Sequence, residues 1–275
     1  MVSNMQERFR DRAVVVTGSA RGIGRAIALR FAREGASVVL NDILPVEGLE
    51  RVAEECRQVG GKSAVVWGDL SSDPTTPARV VAAATEHFGR LDVVVNNAMW
   101  EERKPLMEAT DDGWERTISV SLTAAMSISR AALGVMRASG GGAIIQVASV
   151  HSFAAGHGMI AYETAKAGLL GLTRSIAVDY GRYGIRSNAV CPGLVVTDRN
   201  AGLWHDQEKL EAVKLAYPVG RTGTEQDVAA AIAFLASDEA SFINGACLPV
   251  DGGTLALLAE ASVLDLYKRQ RLPDR

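Results

Sequence analysis

Short apolar runs alternate along this chain with longer segments that are apolar on one face only. The short runs are rich in valine, isoleucine and alanine, which is typical of strands that are buried on both faces of a parallel sheet. The predicted strands are Ala13–Thr17, Ser37–Asn41, Ser63–Trp67, Val93–Asn96, Ala143–Ala148, Ser187–Cys191 and Cys247–Val250.

The longer segments have the apolar spacing of amphipathic helices. The predicted helices are Gly24–Glu34, Leu49–Gln58, Pro77–Phe88, Asp112–Ala138, Tyr162–Tyr180 and Glu225–Ala236. Strand and helix in regular alternation predict an α/β fold: a doubly wound parallel sheet with right-handed crossovers and helices on both faces.

No linker, repeat or low-complexity stretch divides the chain, so we predict one domain over residues 1–275. Two segments interrupt the alternation, Val195–Tyr217 and a tail from about Leu255. Ligands of such folds bind beyond the carboxyl ends of the strands, so the first segment is placed to act as a lid. The tail is apolar over Ala256–Leu266, and we expect it to dock on the protein or on a neighbouring subunit.

Composition excludes some partner classes. With 48% hydrophobic and 22% charged residues and a net charge of −3, nothing favours binding to nucleic acid or to an anionic membrane. The polar start of the chain lacks the apolar core of a secretory signal, so a cytoplasmic location is expected. Cys56, Cys191 and Cys247 are too few and too far apart to indicate disulfides or a metal site.

A glycine-rich turn, Gly18-Ser19-Ala20-Arg21-Gly22-Ile23-Gly24, joins the first strand to the first helix. Glycines let the backbone approach a pyrophosphate, whose charge the amides at the helix N-terminus then meet. We predict a dinucleotide site here, with Gly18, Arg21, Ile23 and Gly24 in contact. A structural turn without ligand is the alternative.

Asp42 follows the second strand, where its carboxylate could accept hydrogen bonds from the adenosine ribose hydroxyls and repel a 2′-phosphate. Arg21 argues for the opposite preference, because a guanidinium binds such a phosphate well. We predict NAD as the cofactor in preference to NADP. Asp69 and Leu70 after the third strand, and Asn96 at the end of the fourth, reach the same edge and are predicted to contact adenine and ribose, although Asn96 suits a purely structural role as well.

Tyr162 and Lys166 are four residues apart on a predicted helix and therefore share a face. Lowering a phenol pKa by about three units takes about 4 kcal/mol, which one ammonium at ~4 Å supplies at an effective dielectric of about 20. Tyr162 would then exchange a proton with a substrate oxygen to which Ser149 is hydrogen-bonded, while hydride passes between carbon and nicotinamide.

These motifs resemble the short-chain dehydrogenase/reductase family over residues 11–253. The residues of this chain that match the family pattern are Thr17 to Gly24, Asp69, Asn96-Asn97-Ala98, Ser149, Tyr162, Lys166, Pro192-Gly193 and Asp251-Gly252-Gly253. The resemblance implies a Rossmann-type sheet, a nicotinamide cofactor whose ribose Lys166 also holds, and contacts of Val195 and Thr197 with its carboxamide. It further implies pairing of the two long helices between subunits, in a homotetramer or homodimer.

Two positions depart from the family pattern. Met99 stands where the family usually has glycine, and Ser121 aligns with a fourth catalytic residue, an asparagine that holds a water in a proton relay to the lysine. The resemblance thus makes Ser121 a catalytic candidate, and we expect a less efficient relay or a modified route, without loss of the reaction.

Candidate substrate-lining residues are rich in hydrogen-bonding groups, which favours hydroxylated ligands. They are Trp100, Glu101, His151, Glu163, Asn200 and His205. We therefore predict an NAD-dependent oxidoreductase that interconverts the secondary alcohol of a sugar, polyol or cyclic hydroxy compound and its ketone or lactone. The alternatives are a reductase of an apolar ketone or 3-oxoacyl compound, and a dinucleotide-binding sensor without turnover.

Overall fold

Parallel strands form one seven-stranded sheet in the structure, a computed structural model that describes residues 7–204 and 206–258. The strands are β1 Ala13–Thr17, β2 Ser37–Asp42, β3 Lys62–Trp67, β4 Val93–Asn96, β5 Gly142–Val147, β6 Ile185–Pro192 and β7 Cys247–Val250. Their spatial order is β3-β2-β1-β4-β5-β6-β7, which confirms the predicted doubly wound fold. The order reverses between β1 and β4, and this leaves a crevice beyond their carboxyl ends.

Helices cover both faces of the sheet. They are α1 Gly22–Arg33, α2 Val46–Gln58, α3 Thr76–Phe88, α4 Asp111–Ile118, α5 Ala124–Ala138, α6 Ile160–Tyr180, α7 Gln207–Lys214 and α8 Glu225–Ala236. Core residues of α1, α2 and α8 pack on one face, and those of α3, α5 and α6 pack on the other. The predicted helices are present, and α7 is an additional one.

Successive residues of β1 enter the two cores in turn. Val14 and Val16 pack with Ile27 of α1, whereas Val15 packs with Val80 of α3 and Ile128 of α5, and all of these side chains are fully buried. Side chains of a strand alternate between faces, so a strand with a helix layer on each side is apolar throughout. The continuous valine runs of the sequence have this physical cause.

The helix that was predicted as one piece over Asp112–Ala138 contains a π-helical turn at Ser119–Thr123, between α4 and α5. A π-helical turn takes in one residue more than an α-helical turn. It leaves the apolar spacing on either side unchanged, so the sequence pattern did not reveal it. Its effect is local: Ser121 lies at the centre of the turn and is buried.

Taken by length and composition alone, the stretch Asp111–Ala138 could cross a bilayer. Core helices pass the same test, and here Ile128, Ala132 and Met136 are fully buried in the core beneath the sheet. This stretch is therefore accounted for as a layer of the fold.

The segment predicted to be a lid, Val195–Tyr217, is fastened at both ends. The Leu194 amide donates to the Tyr217 hydroxyl at 2.8 Å, and Val195 pairs with Gly223 in a short parallel bridge. Between these points the chain leaves the sheet edge, forms a 3₁₀ turn at Ala201–Trp204 and continues into α7. His205 and most of the tail Ala256–Leu266 lie outside the described residues.

The start of α8 generates a prediction about stability. The Thr224 hydroxyl accepts from the Asp227 amide at 3.2 Å, and the Asp227 carboxylate accepts from the Thr224 amide at 2.8 Å, which makes a capping box. We expect Thr224→Ala to lower the free energy of unfolding by about 1 kcal/mol and the melting temperature by about 2–4 °C, measured by thermal denaturation. Thr123→Ala is the control because its exposed side chain caps nothing, and an equal loss in both variants would contradict the assignment.

Candidate active site

The turn between β1 and α1 is built so that only glycine fits at its two ends. Gly18 has φ +64°, and a Cβ at Gly24 would lie 2.0 Å from the Gly18 carbonyl oxygen and 2.6 Å from Asn97 Nδ2. Because these contacts are with backbone and a fixed amide, no larger residue is accommodated. The chain therefore passes tightly under the N-terminus of α1, whose first residues, Gly22, Ile23 and Gly24, line the crevice.

Asn97 ties this turn to the neighbouring strand across the crevice. Its side-chain Nδ2 donates to the Thr17 carbonyl at 2.9 Å and to the Gly18 carbonyl at 3.0 Å. The Thr17 hydroxyl in turn accepts from the amides of Asn97 and Ala98, each at 3.0 Å. The ends of β1 and β4 are thus held in one arrangement.

A cavity of about 460 Å³ opens above this arrangement. Of the predicted cofactor-binding residues, the following line it: Gly18, Arg21, Ile23, Gly24, Asp42, Asp69, Leu70 and Thr197. The residues Asn97, Ala98, Met99, Trp100 and Arg199 complete the wall on the side of β4 and the lid segment. The cavity therefore extends from the adenosine end predicted at β2 and β3 to the loop after β4 and to Arg199 of the lid segment, and Ser149, Tyr162 and Lys166 are not among the residues that line it.

Both acidic residues at the adenosine end are oriented by backbone amides. The Asp42 carboxylate accepts from Ala20 at 3.0 Å and from Leu44 at 3.0 Å. Asp69 accepts from the Ser71 amide at 2.8 Å and its hydroxyl at 2.6 Å. Burial raises the pKa of Asp69, but hydrogen bonds from Ser71 and Ser72 outweigh it and hold the pKa below its ordinary value. A fixed carboxylate suits hydrogen bonding to ribose hydroxyls.

Asn96 and Val195 are not in the cavity wall. The Asn96 side chain is buried and donates to the Ser129 hydroxyl at 3.0 Å, so it has the structural role that the sequence left open. Val195 is buried in its bridge to Gly223. Asn97, the next residue along the chain, lines the cavity and takes the position expected for Asn96.

Ser149, Tyr162 and Lys166 are brought together. Tyr162 and Lys166 share a face of α6, with Lys166 Nζ 5.6 Å from the centre of the phenol ring. Ser149 follows β5 and lies near enough to the Tyr162 oxygen for its hydroxyl to lower the phenol pKa. Lys166 is buried and donates to the Val147 carbonyl at 2.6 Å.

The pKa values of this group are dominated by burial. Burial raises the pKa of Tyr162, although the contact with Ser149 lowers it in part. Burial also lowers the pKa of Lys166 to about 8, against a smaller opposing effect of Glu101. The expectation that Lys166 alone brings the Tyr162 pKa down to neutrality is therefore not met in the chain by itself, because both groups lose the solvation of their charged forms.

The Ser121 hydroxyl makes two hydrogen bonds, both with the backbone of Trp100. It accepts from the Trp100 amide at 3.0 Å and donates to the Trp100 carbonyl at 2.8 Å. Ser121 therefore fixes the loop after β4, and no hydrogen bond joins it to Lys166 among the described residues. The π-helical turn is what aims this hydroxyl at the loop.

Four of the predicted substrate-lining residues surround the phenol or the cavity. Trp100 lines the cavity, the ring of His151 lies 6.0 Å from that of Tyr162, and Glu163 is 3.3 Å from His151 Nδ1. Glu101 is near enough for its charge to act on Tyr162. Asn200 instead folds its own turn, accepting from the Thr197 amide at 2.8 Å and donating to the Val195 carbonyl at 2.9 Å.

Arg199 is a site residue that the sequence reasoning missed. It lines the cavity, and its Nη2 is 3.2 Å from the Glu101 carboxylate. An arginine two residues after Thr197 was the available signal, but its direction depends on how the lid segment folds back over the sheet.

Comparison with known proteins agrees with this geometry. A family model described as enoyl-(acyl carrier protein) reductase matches residues 18–254. Cis-4-hydroxycyclohexanecarboxylate dehydrogenase of Sinomonas cyclohexanicum is 43% identical over 92% of this chain and 100% of that protein. L-rhamnose 1-dehydrogenase (NAD(P)(+)) of Azotobacter vinelandii is 41% identical over 88% of this chain and 96% of that protein.

Solved structures give the same result. A candidate NAD(P)-dependent gluconate 5-dehydrogenase from Beutenbergia cavernae, with bound NADP at low occupancy, is 39% identical and superposes with a TM-score of 0.83 over 90% of this chain and 98% of that one. Sequence and fold thus match over nearly the whole chain. The chain belongs to the short-chain dehydrogenase/reductase family.

Proposed function

We propose that this protein is an NAD-dependent dehydrogenase that oxidises a secondary alcohol of a cyclic or polyhydroxylated compound to the ketone or lactone. The observation that carries the proposal is the grouping of Ser149, Tyr162 and Lys166 beside a glycine-lined cavity. Relatives named for a hydroxycyclohexanecarboxylate, a sugar and a sugar acid support action on CH–OH groups.

The cavity residues fit a nicotinamide dinucleotide. Gly22, Ile23 and Gly24 line the cavity at the start of α1, where a pyrophosphate would lie against the amides of the helix. Asp42 and Asp69 would hold the adenosine end, and Thr197 the nicotinamide end. When bound, the dinucleotide supplies the hydride acceptor. Asp42 would disfavour a 2′-phosphate through charge repulsion, and this supports NAD over NADP despite Arg21 in the same wall.

Tyr162 is proposed to take the proton of the substrate hydroxyl, and Ser149 to hold the substrate oxygen by a hydrogen bond. Lys166 Nζ lies 5.6 Å from the centre of the phenol ring, and an ammonium at about that distance from a negative charge stabilises it by about 3 kcal/mol at an effective dielectric of about 20. This is less than the stabilisation needed, because burial raises the pKa of Tyr162. The positive charge of an oxidised nicotinamide would have to supply the remainder, which makes proton removal depend on cofactor binding.

Ser121 is proposed to act as a positioning residue. Its hydroxyl holds the Trp100 backbone, so its replacement should displace the loop that carries Glu101 and not interrupt a proton relay directly.

The first test of this function is Tyr162→Phe. Removing the phenol oxygen should reduce kcat for alcohol oxidation by at least about 100-fold, while the dissociation constant for NAD changes by less than about threefold. Activity is followed as NADH formation over a panel of sugars, polyols and cyclic alcohols, and binding by calorimetry.

Tyr180→Phe at the far end of the same helix is the matched control and should retain full activity. Binding of NAD without turnover of any alcohol would instead support a dinucleotide sensor, and unaltered turnover in Tyr162→Phe would contradict the assigned base.

Cofactor preference provides the second test. Asp42→Asn keeps the shape of the side chain but removes its charge, so the ratio of kcat/KM for NAD to that for NADP should fall by about 10-fold or more. Asp69→Asn neutralises the other acidic residue of the same cavity and should leave the ratio nearly unchanged. A ratio that responds equally to both substitutions would exclude a specific role for Asp42.

The third test concerns the cost of burying Lys166. Burial lowers its pKa from 10.5 to about 8, which corresponds to about 3 kcal/mol for keeping the buried amine charged. Because the folded-state pKa is the lower one, the penalty is complete below about pH 8 and fades as pH rises toward the ordinary pKa. Lys166→Met should therefore be inactive yet more stable than the wild type by about 1–3 kcal/mol near pH 7.

Denaturant unfolding near pH 7 and pH 10 measures this difference, which should shrink at the higher pH. Lys62→Met, at an exposed position on β3, is the control and should show no such pH dependence. A wild type more stable than Lys166→Met near pH 7 would rule out the proposed penalty.

A further inference from the structure

The charged residues of the cavity wall lie at two separate ends. They are Arg21, Asp42, Asp69 and Arg199. The first three follow β1, β2 and β3, at the adenosine end. Arg199 belongs to the lid segment and shares the opposite end with Met99 and Trp100. Within the described part of the chain, Arg199 is thus the one charged residue in the wall at the end that holds Met99 and Trp100.

Glu101 orients this guanidinium. Arg199 Nη2 lies 3.2 Å from Glu101 Oε1, and its Nη1 contacts the Met99 sulfur. The same Glu101 oxygen also accepts from Arg103 Nη2 at 3.1 Å. One carboxylate is shared by two arginines, so the cluster of Glu101, Arg103 and Arg199 carries a net positive charge.

The loop that holds Glu101 is anchored on both sides. Before it, Ser121 binds both backbone groups of Trp100, and Arg116 stacks on the indole with its guanidinium carbon 4.7 Å from the ring centre. After it, the Glu102 amide donates to the Thr117 hydroxyl at 3.3 Å. Glu101 is therefore a fixed support, and Arg199 is held in place before any ligand arrives, which lowers the cost of binding.

Arg199 retains donors for a ligand. A guanidinium has five N–H groups in a planar fork, and the contacts recorded within the described residues use one on each terminal nitrogen. The side chain is 39% exposed, against 13% for Glu101. Glu101, Arg199 and, more weakly, Arg103 all act electrostatically on the Tyr162 phenol, so this cluster lies close to where the reacting alcohol would sit.

We propose that Arg199 is a specificity-determining residue that binds a carboxylate on the substrate, so that the preferred substrates are hydroxy acids. This inference rests on the proposed function, because it concerns the alcohol oxidised at the same site. A planar carboxylate matches the guanidinium fork, and a neutral ligand would not compensate the surplus positive charge.

The test compares acids with their neutral amides, which have nearly the same shape. The pairs are cis- and trans-4-hydroxycyclohexanecarboxylate with the corresponding carboxamides, and gluconate with gluconamide. Near pH 8 the acids are ionised. We expect kcat/KM for at least one acid to exceed that for its amide by about 10- to 100-fold, a ratio that Arg199→Gln should reduce to about 1 and that Arg199→Lys should restore in part.

Arg103→Gln is the matched control. It removes the same charge and the same partner of Glu101, but Arg103 is 52% exposed and is not in the cavity wall. The acid-to-amide ratio of this variant should stay within about threefold of the wild type. An equal fall in both variants would show a general field effect and would overturn direct binding by Arg199.

Two further outcomes separate this inference from the proposed function. Oxidation of neutral sugars or cyclic alcohols without any preference for acids overturns the role of Arg199 and leaves the dehydrogenase intact. A loss in Arg199→Gln that appears in the KM for NAD, with the acid-to-amide ratio unchanged, assigns Arg199 to the cofactor and likewise overturns it. No oxidation of any alcohol rejects both proposals.

Discussion

The hydrogen bonds between Asn97 and the end of β1 are the constraint on which the site depends. They join the glycine turn to the loop after β4 across the point where the strand order reverses. One amide thereby sets the distance between the glycine turn and the loop that carries Trp100 and Glu101. The amide and both carbonyls are partly buried, so breaking this link would leave partly buried polar groups without partners, which costs stability.

Burial of Lys166 is the second determinant, and it acts against stability. The ammonium lies beneath Tyr162 and has the Val147 carbonyl as a hydrogen-bond acceptor, which repays only part of the solvation it loses. The same burial keeps the local dielectric low, so a charge placed here acts strongly on the phenol. A site of this kind is maintained by the rigid strands and helices around it, since the residues that form it would not hold together by themselves.

The structure departs from the sequence expectations where the path of the backbone decides the direction of a side chain, because residue type and apolar spacing do not show that path. The π-helical turn at Ser119–Thr123 leaves the apolar spacing intact, so one continuous helix was predicted, yet this turn decides that the Ser121 hydroxyl meets Trp100. Asn96 and Asn97 are adjacent and identical in type. Which of them faces the crevice depends on where β4 ends, and the residue types do not show the end of the strand. Arg199 was missed because its direction follows from the path of the lid segment, which has no periodicity.

The sequence by itself determined the strands, most helices, the order of the layers, the glycine turn and the grouping of Ser149, Tyr162 and Lys166. These follow from local rules: apolar period, glycine conformation, and the four-residue spacing that puts two side chains on one helix face. Only the tertiary structure decided which polar groups form hydrogen bonds that fix loops and which retain donors or acceptors for a ligand. That division depends on contacts between residues far apart in the chain, such as Ser121 with Trp100 and Glu101 with Arg199, because a hydrogen bond forms only where folding brings donor and acceptor together.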